Sequence, residues 1–149
     1  MPITYQRDAQ LDLDQFIELY RAATLGERRP VENHAVMQAM MEHGDLTITA
    51  WDGDKLVGIS RTLTDFAYVA YLADLAVHVD YQKRGIGARL VEETRAALEP
   101  TCFITLLSAP AANEFYPKIG FEKHPRAWMM KPSQSTEAEP SDPQPGSCK

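Results

Sequence analysis

The sequence predicts an α/β protein in which helices cover both faces of a mixed sheet. Two β-rich runs flank Asp52-Gly53, a strong signal for a tight hairpin, so this part of the sheet is antiparallel. A strand–helix–strand pattern over residues 67–108 instead requires a parallel pair with a right-handed crossover. The chain of 149 residues, 44% hydrophobic, suits a single core.

The N-terminal half predicts one short strand and two helices before the hairpin. The stretch "ITYQRD" alternates weakly and is predicted to be the first strand. Asp12 offers an N-cap to a helix from Leu13 to about Ala23, because apolar residues then recur at helical spacing. A second helix is predicted from about Glu32 to His43, with Gly44 at the C′ position.

The C-terminal half predicts a central strand and then alternating helices and strands. The run "AYVAYLADLAVHV" is long and largely apolar without strict alternation, which is typical of a strand covered on both faces. Pro117 requires the last helix to start late or to kink. The later elements are a helix over 85–100, a strand over 102–110, a short helix over 111–120 and a last strand or pair of strand pieces over 121–131.

The composition changes sharply at Pro132. Residues 132–149 contain four prolines and no large apolar side chain, so they are predicted to form a disordered polar tail. Residues 1–131 are predicted to form the single folded domain.

Charge and composition exclude several classes of protein. A net charge of -6 argues against binding nucleic acid or an anionic membrane surface. No apolar run approaches the length of a membrane span, and the N-terminus lacks the apolar region of a signal peptide. Of two cysteines, Cys102 lies in an apolar run and is predicted to be a core residue, so a cytoplasmic location fits. The four histidines lack metal-ligand spacing, and no metal site is predicted.

The stretch "YQKRGIGARL" has the features of an anion site. Gly85 and Gly87 lie between a strand and a helix, where free N–H groups and the helix dipole favour a phosphate, and Lys83 and Arg84 add positive charge. A Rossmann fingerprint is rejected because Leu90 occupies its third glycine position, and a P-loop lacks its Gly-Lys-Ser/Thr ending. A coenzyme A pyrophosphate site and a plain glycine turn remain open.

Two motifs resemble those of the GNAT superfamily of N-acyltransferases. Gln82, Gly85 and Gly87 fill the family's acyl-CoA pyrophosphate pattern Gln/Arg-x-x-Gly-x-Gly/Ala. The stretch "ANEFYPKIGF" is similar to the second signature, in which a Tyr shortly precedes Gly-Phe. The order of elements over residues 3–131 also resembles the family, and two signatures in the right order are more specific than either alone.

The resemblance implies a three-layer fold with a splayed pair of parallel strands, and acetyl-CoA as the acyl donor. The pantetheine arm would lie in the gap and pair with the exposed strand backbone, while the pyrophosphate would meet the loop N–H groups. The donor-binding residues implied in this way are Leu75, Ala76, Val77, Gln82, Lys83, Arg84, Gly85, Ile86, Gly87, Ala88 and Asn113.

Candidate catalytic residues are Tyr116 and Asp74. Tyr116 matches the family's general acid, and its alternative interpretation is a core tyrosine. Asp74 interrupts an apolar strand and is a candidate base, but a structural ion pair with Arg61 is supported equally. Arg28 and Arg29 lie in a segment that borders the acceptor site in relatives. They could select an acidic acceptor, although a solvated pair of surface charges is the safer interpretation.

Together these features predict an N-acetyltransferase that moves an acetyl group from acetyl-CoA to a primary amine of a small molecule, by direct attack in a ternary complex. The alternatives are a catalytically silent acyl-CoA-binding regulatory module, a protein-lysine or N-terminal acetyltransferase, and a transferase of longer acyl groups. Many members of the family dimerise, so the resemblance also leaves a homodimer open.

Overall fold

The computed structural model of the chain describes residues 2–134. The chain divides into two compact units, residues 1–107 and residues 108–149, and each is described by itself. The predicted tail over 135–149 lies outside the described residues. No helix within the described part of the chain is long and apolar enough to cross a membrane.

The first unit contains a five-stranded sheet in the order β1-β2-β3-β4-β5. Neighbouring strands are antiparallel except for β4 and β5, which are parallel, as the hairpin and the crossover predicted. The hairpin loop is Gly53-Asp54, one residue later than predicted, and Gly53 has a φ of 60°. The strands are β1 Thr4–Arg7, β2 Leu46–Asp52, β3 Lys55–Thr64, β4 Val69–Val77 and β5 Phe103–Thr105.

Three helices accompany the sheet, and local capping explains where two of them begin. Asp12 accepts a hydrogen bond from the Gln15 N–H at 2.8 Å, which confirms the predicted cap of the first helix. The second helix begins two residues later than predicted because Asn33 accepts from the Val36 N–H at 3.2 Å. The helices are α1 Leu13–Ala22, α2 His34–Glu42 and α3 Ile86–Ala96, with a 3-10 turn at Thr24–Arg28.

One face of the sheet is covered by α1 and α2. The contact is an apolar cluster that joins the two helices to β2, β3 and β4. Burying this area is the main favourable contribution to folding. Its buried members are Phe16, Ile17, Leu19, Tyr20, Ala23, Met37, Trp51, Leu56, Ile59 and Ala76.

The opposite face is covered by α3. A Cβ at Gly58 of β3 would lie 3.1 Å from both Ile86 Cγ2 and Leu90 Cδ1, so the glycine lets α3 approach the sheet closely. Cys102 is buried in this layer, as predicted. The predicted mixed sheet with helices on both faces is therefore confirmed. Buried members of this second cluster are Leu46, Ile48, Ala50, Val57, Ala70, Ile86, Leu90, Leu98 and Cys102.

The parallel pair of strands is short, which leaves part of β4 without a neighbour on one side. β4 pairs with β5 only from Val69 to Tyr71, while β4 itself continues to Val77. Within the described residues, positions 72–77 pair only with β3. Ala73 is an extra residue in that ladder, since Thr62 pairs with Leu72 and Arg61 with Asp74. We call residues 72–77 on the side facing β5 the free edge.

The second unit contains a short helix, α4, from Phe115 to Lys118. Pro117 lies in its first turn, where an N–H is not needed, so the predicted late start is confirmed. The strand predicted over 121–131 is wrong, because these residues have no regular secondary structure. Pro125 forms a turn with Arg126, whose N–H bonds His124 Nδ1 at 3.0 Å, and this turn interrupts the extended pattern.

Candidate active site

The glycine loop connects the end of β4 to the start of α3 in the first unit. Its backbone enters the left-handed region twice, with a φ of 66° at Lys83 and 79° at Gly85. A Cβ at Gly85 would meet nothing within 4 Å, so the glycine is required for its backbone conformation and not for space. The loop therefore faces an open volume beside a strained backbone, an arrangement found at ligand sites.

The first turn of α3 offers hydrogen-bond donors to this volume. The first hydrogen bond of the helix runs from the Arg89 N–H to the Gly85 carbonyl at 3.0 Å. N–H groups that precede Arg89 in the helix have no acceptor within it, which suits an anion. The Gln82 side chain donates to the Val77 carbonyl at 3.2 Å and ties the loop to the end of the free edge. The open donors belong to Ile86, Gly87 and Ala88.

Tyr81 anchors the cationic side of the loop. Its hydroxyl donates to Asp52 Oδ2 at 2.5 Å, which joins the loop to the end of β2. The Arg84 guanidinium lies 4.9 Å from the ring centroid, and Lys55 Nζ lies 5.4 Å from it. Cation–π contacts of this length are stabilising, so Arg84 is held next to the loop by the ring.

The free edge carries the residues expected to bind the pantetheine arm. Leu75, Ala76 and Val77 pair with Ser60, Ile59 and Gly58 on the β3 side. On the other side they lie past the last β4–β5 pair, so the backbone groups that point that way have no strand partner in the described part of the chain. Unpaired strand groups of this kind accept an extended ligand with amide groups.

Asp74 is the centre of a buried polar cluster on the same stretch of β4. It is 2% exposed, and three side chains donate to its carboxylate. Arg29 Nε binds Oδ1 at 2.6 Å, while Arg61 Nε and the Tyr20 hydroxyl each bind Oδ2 at 2.5 Å. The predicted ion pair with Arg61 is confirmed. Sequence reasoning missed Arg29 and Tyr20 as its partners. We call these four residues the Asp74 cluster.

The cluster fixes the protonation states of its members at neutral pH. Burial raises the pKa of Asp74, but the charges of Arg61 and Arg29 and the Tyr20 hydrogen bond outweigh it, so the pKa is lowered. Burial, followed by the Asp74 charge, raises the pKa of Tyr20 well above 10.0. Asp74 is therefore an anion with both oxygens engaged. Of the two interpretations left open, these contacts favour the ion pair over the base.

Arg29 also connects the segment between α1 and α2 to the free edge. Its Nη2 donates to the Ala73 carbonyl at 2.8 Å, and its Nη1 donates to the Arg28 carbonyl at 2.9 Å. The interpretation of Arg28 and Arg29 as a solvated pair is wrong for Arg29, whose side chain is 24% exposed and ion-paired. It holds for Arg28, which is exposed. The difference arises because Asp74 provides a buried counter-charge for only one of them.

Tyr116 and Asn113 belong to the second unit. Tyr116 lies on α4, where its ring meets those of Phe115 and Phe121 edge-on at centroid distances of 5.1 and 5.5 Å. Burial raises the pKa of Tyr116, so its phenol carries its proton at neutral pH, as a general acid requires. Asn113 is exposed at the end of a 3-10 turn over Pro110–Ala112.

Comparisons with known proteins agree with this arrangement. The sequence model of the acetyltransferase (GNAT) domain matches residues 21–130. The chain is 28% identical over 135 residues to the uncharacterized N-acetyltransferase ycf52 of Pyropia yezoensis, which covers 80% of this chain and 73% of the relative. It is 37% identical over 73 residues to the chloroplastic GCN5-related N-acetyltransferase 2 of Arabidopsis thaliana, covering 48% of this chain and 28% of the relative.

Solved structures share the fold over most of the chain. A GNAT-family acetyltransferase of Streptococcus pneumoniae superposes with a TM-score of 0.68 at 26% identity, covering 86% of this chain and 98% of that one. An aminoglycoside N-acetyltransferase in complex with CoA superposes with a TM-score of 0.65 at 14% identity, covering 88% and 95%. At that low identity the second likeness concerns the fold alone.

Proposed function

The chain belongs to the GNAT family of acetyltransferases, and from that premise we propose that it transfers an acetyl group from acetyl-CoA to a primary amine of a small molecule by direct attack in a ternary complex. The observation that carries the proposal is the continuity of the free edge with the glycine loop in one unit. The edge ends at Val77, and the loop bonded to it through Gln82 presents free N–H donors.

The acyl donor binds along the free edge and the glycine loop. The amides of the pantetheine arm pair with the backbone of Leu75, Ala76 and Val77. The pyrophosphate binds the N–H groups from Lys83 to Ala88 at the start of α3, where the helix dipole adds to the charges of Lys83 and Arg84. That a solved relative of this fold was obtained in complex with CoA supports this assignment.

The chemistry forms a C–N bond and breaks the C–S bond of the thioester. The neutral amine attacks the acyl carbon, and a backbone N–H near Leu75 stabilises the negative charge that develops on the acyl oxygen. The leaving thiolate takes a proton from Tyr116, which we assign as the general acid because it matches the family motif and because burial keeps its phenol protonated.

The ammonium proton of the acceptor leaves through water. Asp74 is a poor proton acceptor here, because two guanidinium groups and a phenol engage both of its oxygens. A chain of water molecules needs no such free carboxylate. Asp74 therefore has a structural role in the site and takes no part in the proton transfer.

An uncovered part of the sheet offers the acceptor access to the donor site. The face that carries Asp74 is covered by α1 and α2 near Ile59 and Ala76, but the side chains further along it are exposed. An acceptor that approaches from this face reaches β4 at the point where the free edge begins. The exposed side chains are Leu63, Val69, Tyr71 and Phe103.

Residues 1–131 would form the catalytic domain, since the family match ends at residue 130. A cytoplasmic location and a homodimer stay predictions. A transferase of protein amines or of longer acyl groups would use the same donor site, so a panel of acceptor amines and a panel of acyl donors separate these alternatives.

The test combines CoA binding with CoA release. Isothermal titration should give a micromolar-range Kd for acetyl-CoA, and release of free CoA should follow addition of one or more amines from a panel that includes peptides. Propionyl-CoA and succinyl-CoA serve as alternative donors. Binding of acetyl-CoA without CoA release for any amine would identify a silent binding module instead.

A charge variant tests the donor site separately. Arg84→Ala should weaken CoA binding, because the variant removes a cation that the Tyr81 ring holds beside the loop. Arg7→Ala is the matched control, since Arg7 is also an exposed arginine next to an aromatic ring, 5.9 Å from the centroid of Phe66. Equal Kd values for the two variants would contradict the proposed pyrophosphate site.

A further inference from the structure

The Asp74 cluster contains one positive charge more than it can neutralise. Arg29 and Arg61 are both guanidinium cations bound to the single carboxylate of Asp74, and Tyr20 is a neutral phenol. Two cations against one anion leave a surplus of one positive charge. Because the members are buried or half-buried, water screens this surplus less than it would screen a surface charge.

Charges on the surrounding elements do not cancel the surplus. Arg21 of α1 is paired with Glu32 at 2.8 Å, and Glu27 and Arg28 are neighbouring exposed side chains of opposite sign. On the α2 side, Arg61 Nη1 donates a hydrogen bond to the Met40 carbonyl at 3.4 Å. Asp45 keeps its negative charge, since the Thr64 N–H that it accepts from is neutral, but Asp45 is exposed and water screens it. The other titratable side chains of α1, of α2 and of the residue after α2 are all exposed, so water screens them, and Glu42 keeps its charge because its partner Gln38 is neutral. They are Asp14, Glu18, His34, Glu42 and His43.

The surplus lies where the acyl end of the donor is expected. Arg29 binds the carbonyl of Ala73, the extra residue at the start of the free edge. In the proposed function the pyrophosphate lies beyond the other end of that edge, after Val77. The acyl group therefore lies towards Ala73, about 13 Å along the strand from Val77 at roughly 3.3 Å per residue.

We propose that the surplus charge of the Asp74 cluster lowers the pKa of the acceptor ammonium in the ternary complex, with Arg29 as the residue that sets this charge. A nearby like charge disfavours the protonated form of an amine. The bound acceptor then loses its proton to water more readily, and no carboxylate base is needed. This inference rests on the proposed function and adds to it the origin of the neutral amine.

The pH dependence of kcat at saturating substrates tests the proposal, because it reports ionisations in the ternary complex, whereas kcat/KM reports those of the free species. In the wild type the ascending limb of kcat should lie below the solution pKa of the acceptor amine. In Arg29→Gln it should move up by about one pH unit, the effect of one charge at roughly 10 Å in a partly screened site. Arg29→Lys keeps the charge, so the ascending limb should lie at the wild-type pH.

The controls separate charge from structure. Arg21→Gln removes an arginine from the same region without removing the surplus, and its kcat limb should stay where the wild-type limb lies. Arg29→Gln should fold, since Asp74 keeps Arg61 and Tyr20, and its melting temperature and CoA Kd check this. A purely structural role would lower kcat by the same factor at every pH, and that result would overturn the proposal.

The wild type alone provides a second measurement that does not depend on any variant. With two acceptors of different solution pKa, both kcat limbs should lie below those solution values by a similar interval. Limbs that coincide with the solution values overturn the inference but leave the proposed function intact. Absence of turnover with every amine overturns both.

Discussion

Tyr20 on α1 donates its hydroxyl to Asp74 on β4 at 2.5 Å, although 54 residues separate them in the chain. The bond joins the helical layer to the strand that carries the free edge. Tyr20 is also fully buried against Phe16, at a centroid distance of 4.6 Å. One side chain thus contributes to the apolar core through its ring and to the polar cluster through its oxygen, and these two contributions can be measured separately.

Tyr20→Phe isolates the contribution of the oxygen. The ring and its packing remain, but a hydrogen bond to a buried carboxylate is lost, so the free energy of unfolding should fall by about 1.5–3 kcal/mol. Urea denaturation measures the change. Tyr68→Phe is the control, because Tyr68 is exposed and its change should stay within about 0.5 kcal/mol. Equal effects of the two substitutions would contradict the role of the Tyr20 hydroxyl.

Asp74 should also set part of the acid stability. Burial raises its pKa, but the Arg61 and Arg29 charges and the Tyr20 hydrogen bond bring it below its ordinary 3.8. A carboxyl whose folded pKa is depressed stabilises the protein above the unfolded value, and this stabilisation is lost as pH falls through the folded value. Stability should therefore decrease below about pH 4. In Tyr20→Phe the folded pKa of Asp74 is less depressed, so the loss should be smaller and should be complete at a higher pH. Identical acid profiles of the two proteins would contradict this.

The glycine loop and the hairpin were predictable because their signals are local. Position 85 has a left-handed backbone just before a helix, a conformation that favours glycine. The two glycines and the adjacent cations indicate this turn within a few residues of sequence. The Gly53 turn is similarly encoded by its neighbours, apart from a shift of one residue. Such signals depend on covalent geometry and capping, so they survive without knowledge of the tertiary structure.

Partners of Asp74 were harder to predict because they are distant in sequence. A carboxylate in an apolar strand signals that partners exist, and Arg61 was found because the adjacent strand of the hairpin carries it. Arg29 and Tyr20 lie 45 and 54 residues away, and nothing in their local patterns distinguishes them from a surface arginine and a core tyrosine. The prediction of a last strand was wrong for a related reason. A strand requires a neighbouring strand to pair with, which local sequence does not show, and Pro125 interrupts the segment.

Gly85→Ala should weaken CoA binding more than it affects folding. An alanine at a φ of 79° costs about 1–2 kcal/mol in backbone strain, and relief of that strain would move the loop donors. We expect a Kd for CoA about tenfold higher, equivalent to about 1.4 kcal/mol. Gly53→Ala is a matched control, because Gly53 has a φ of 60° and equal free space but lies in the hairpin loop. It should cost similar stability and leave the Kd unchanged.

Tyr116→Phe tests the general acid. Turnover at saturating substrates should fall by about 100-fold, since general acid catalysis contributes roughly 10²–10⁴. The Kd for CoA should not change, because the variant removes only a hydroxyl from an aromatic cluster that the phenylalanine ring preserves. A CoA-release assay measures the turnover, and calorimetry measures the Kd. Unaltered turnover would remove Tyr116 from the mechanism.

The extra residue at Ala73 makes β4 tolerant of shortening at one point. Elsewhere in a strand, deleting a residue turns every following side chain to the other face of the sheet. Deleting Ala73 instead leaves Leu72 and Asp74 next to each other, opposite Thr62 and Arg61, which is the regular spacing of a ladder. A chain shortened by that residue should keep its core while presenting Arg29 with the carbonyl of Leu72. Length variation among homologous chains would thus be accommodated at this position, and its consequences would appear in turnover before they appeared in folding.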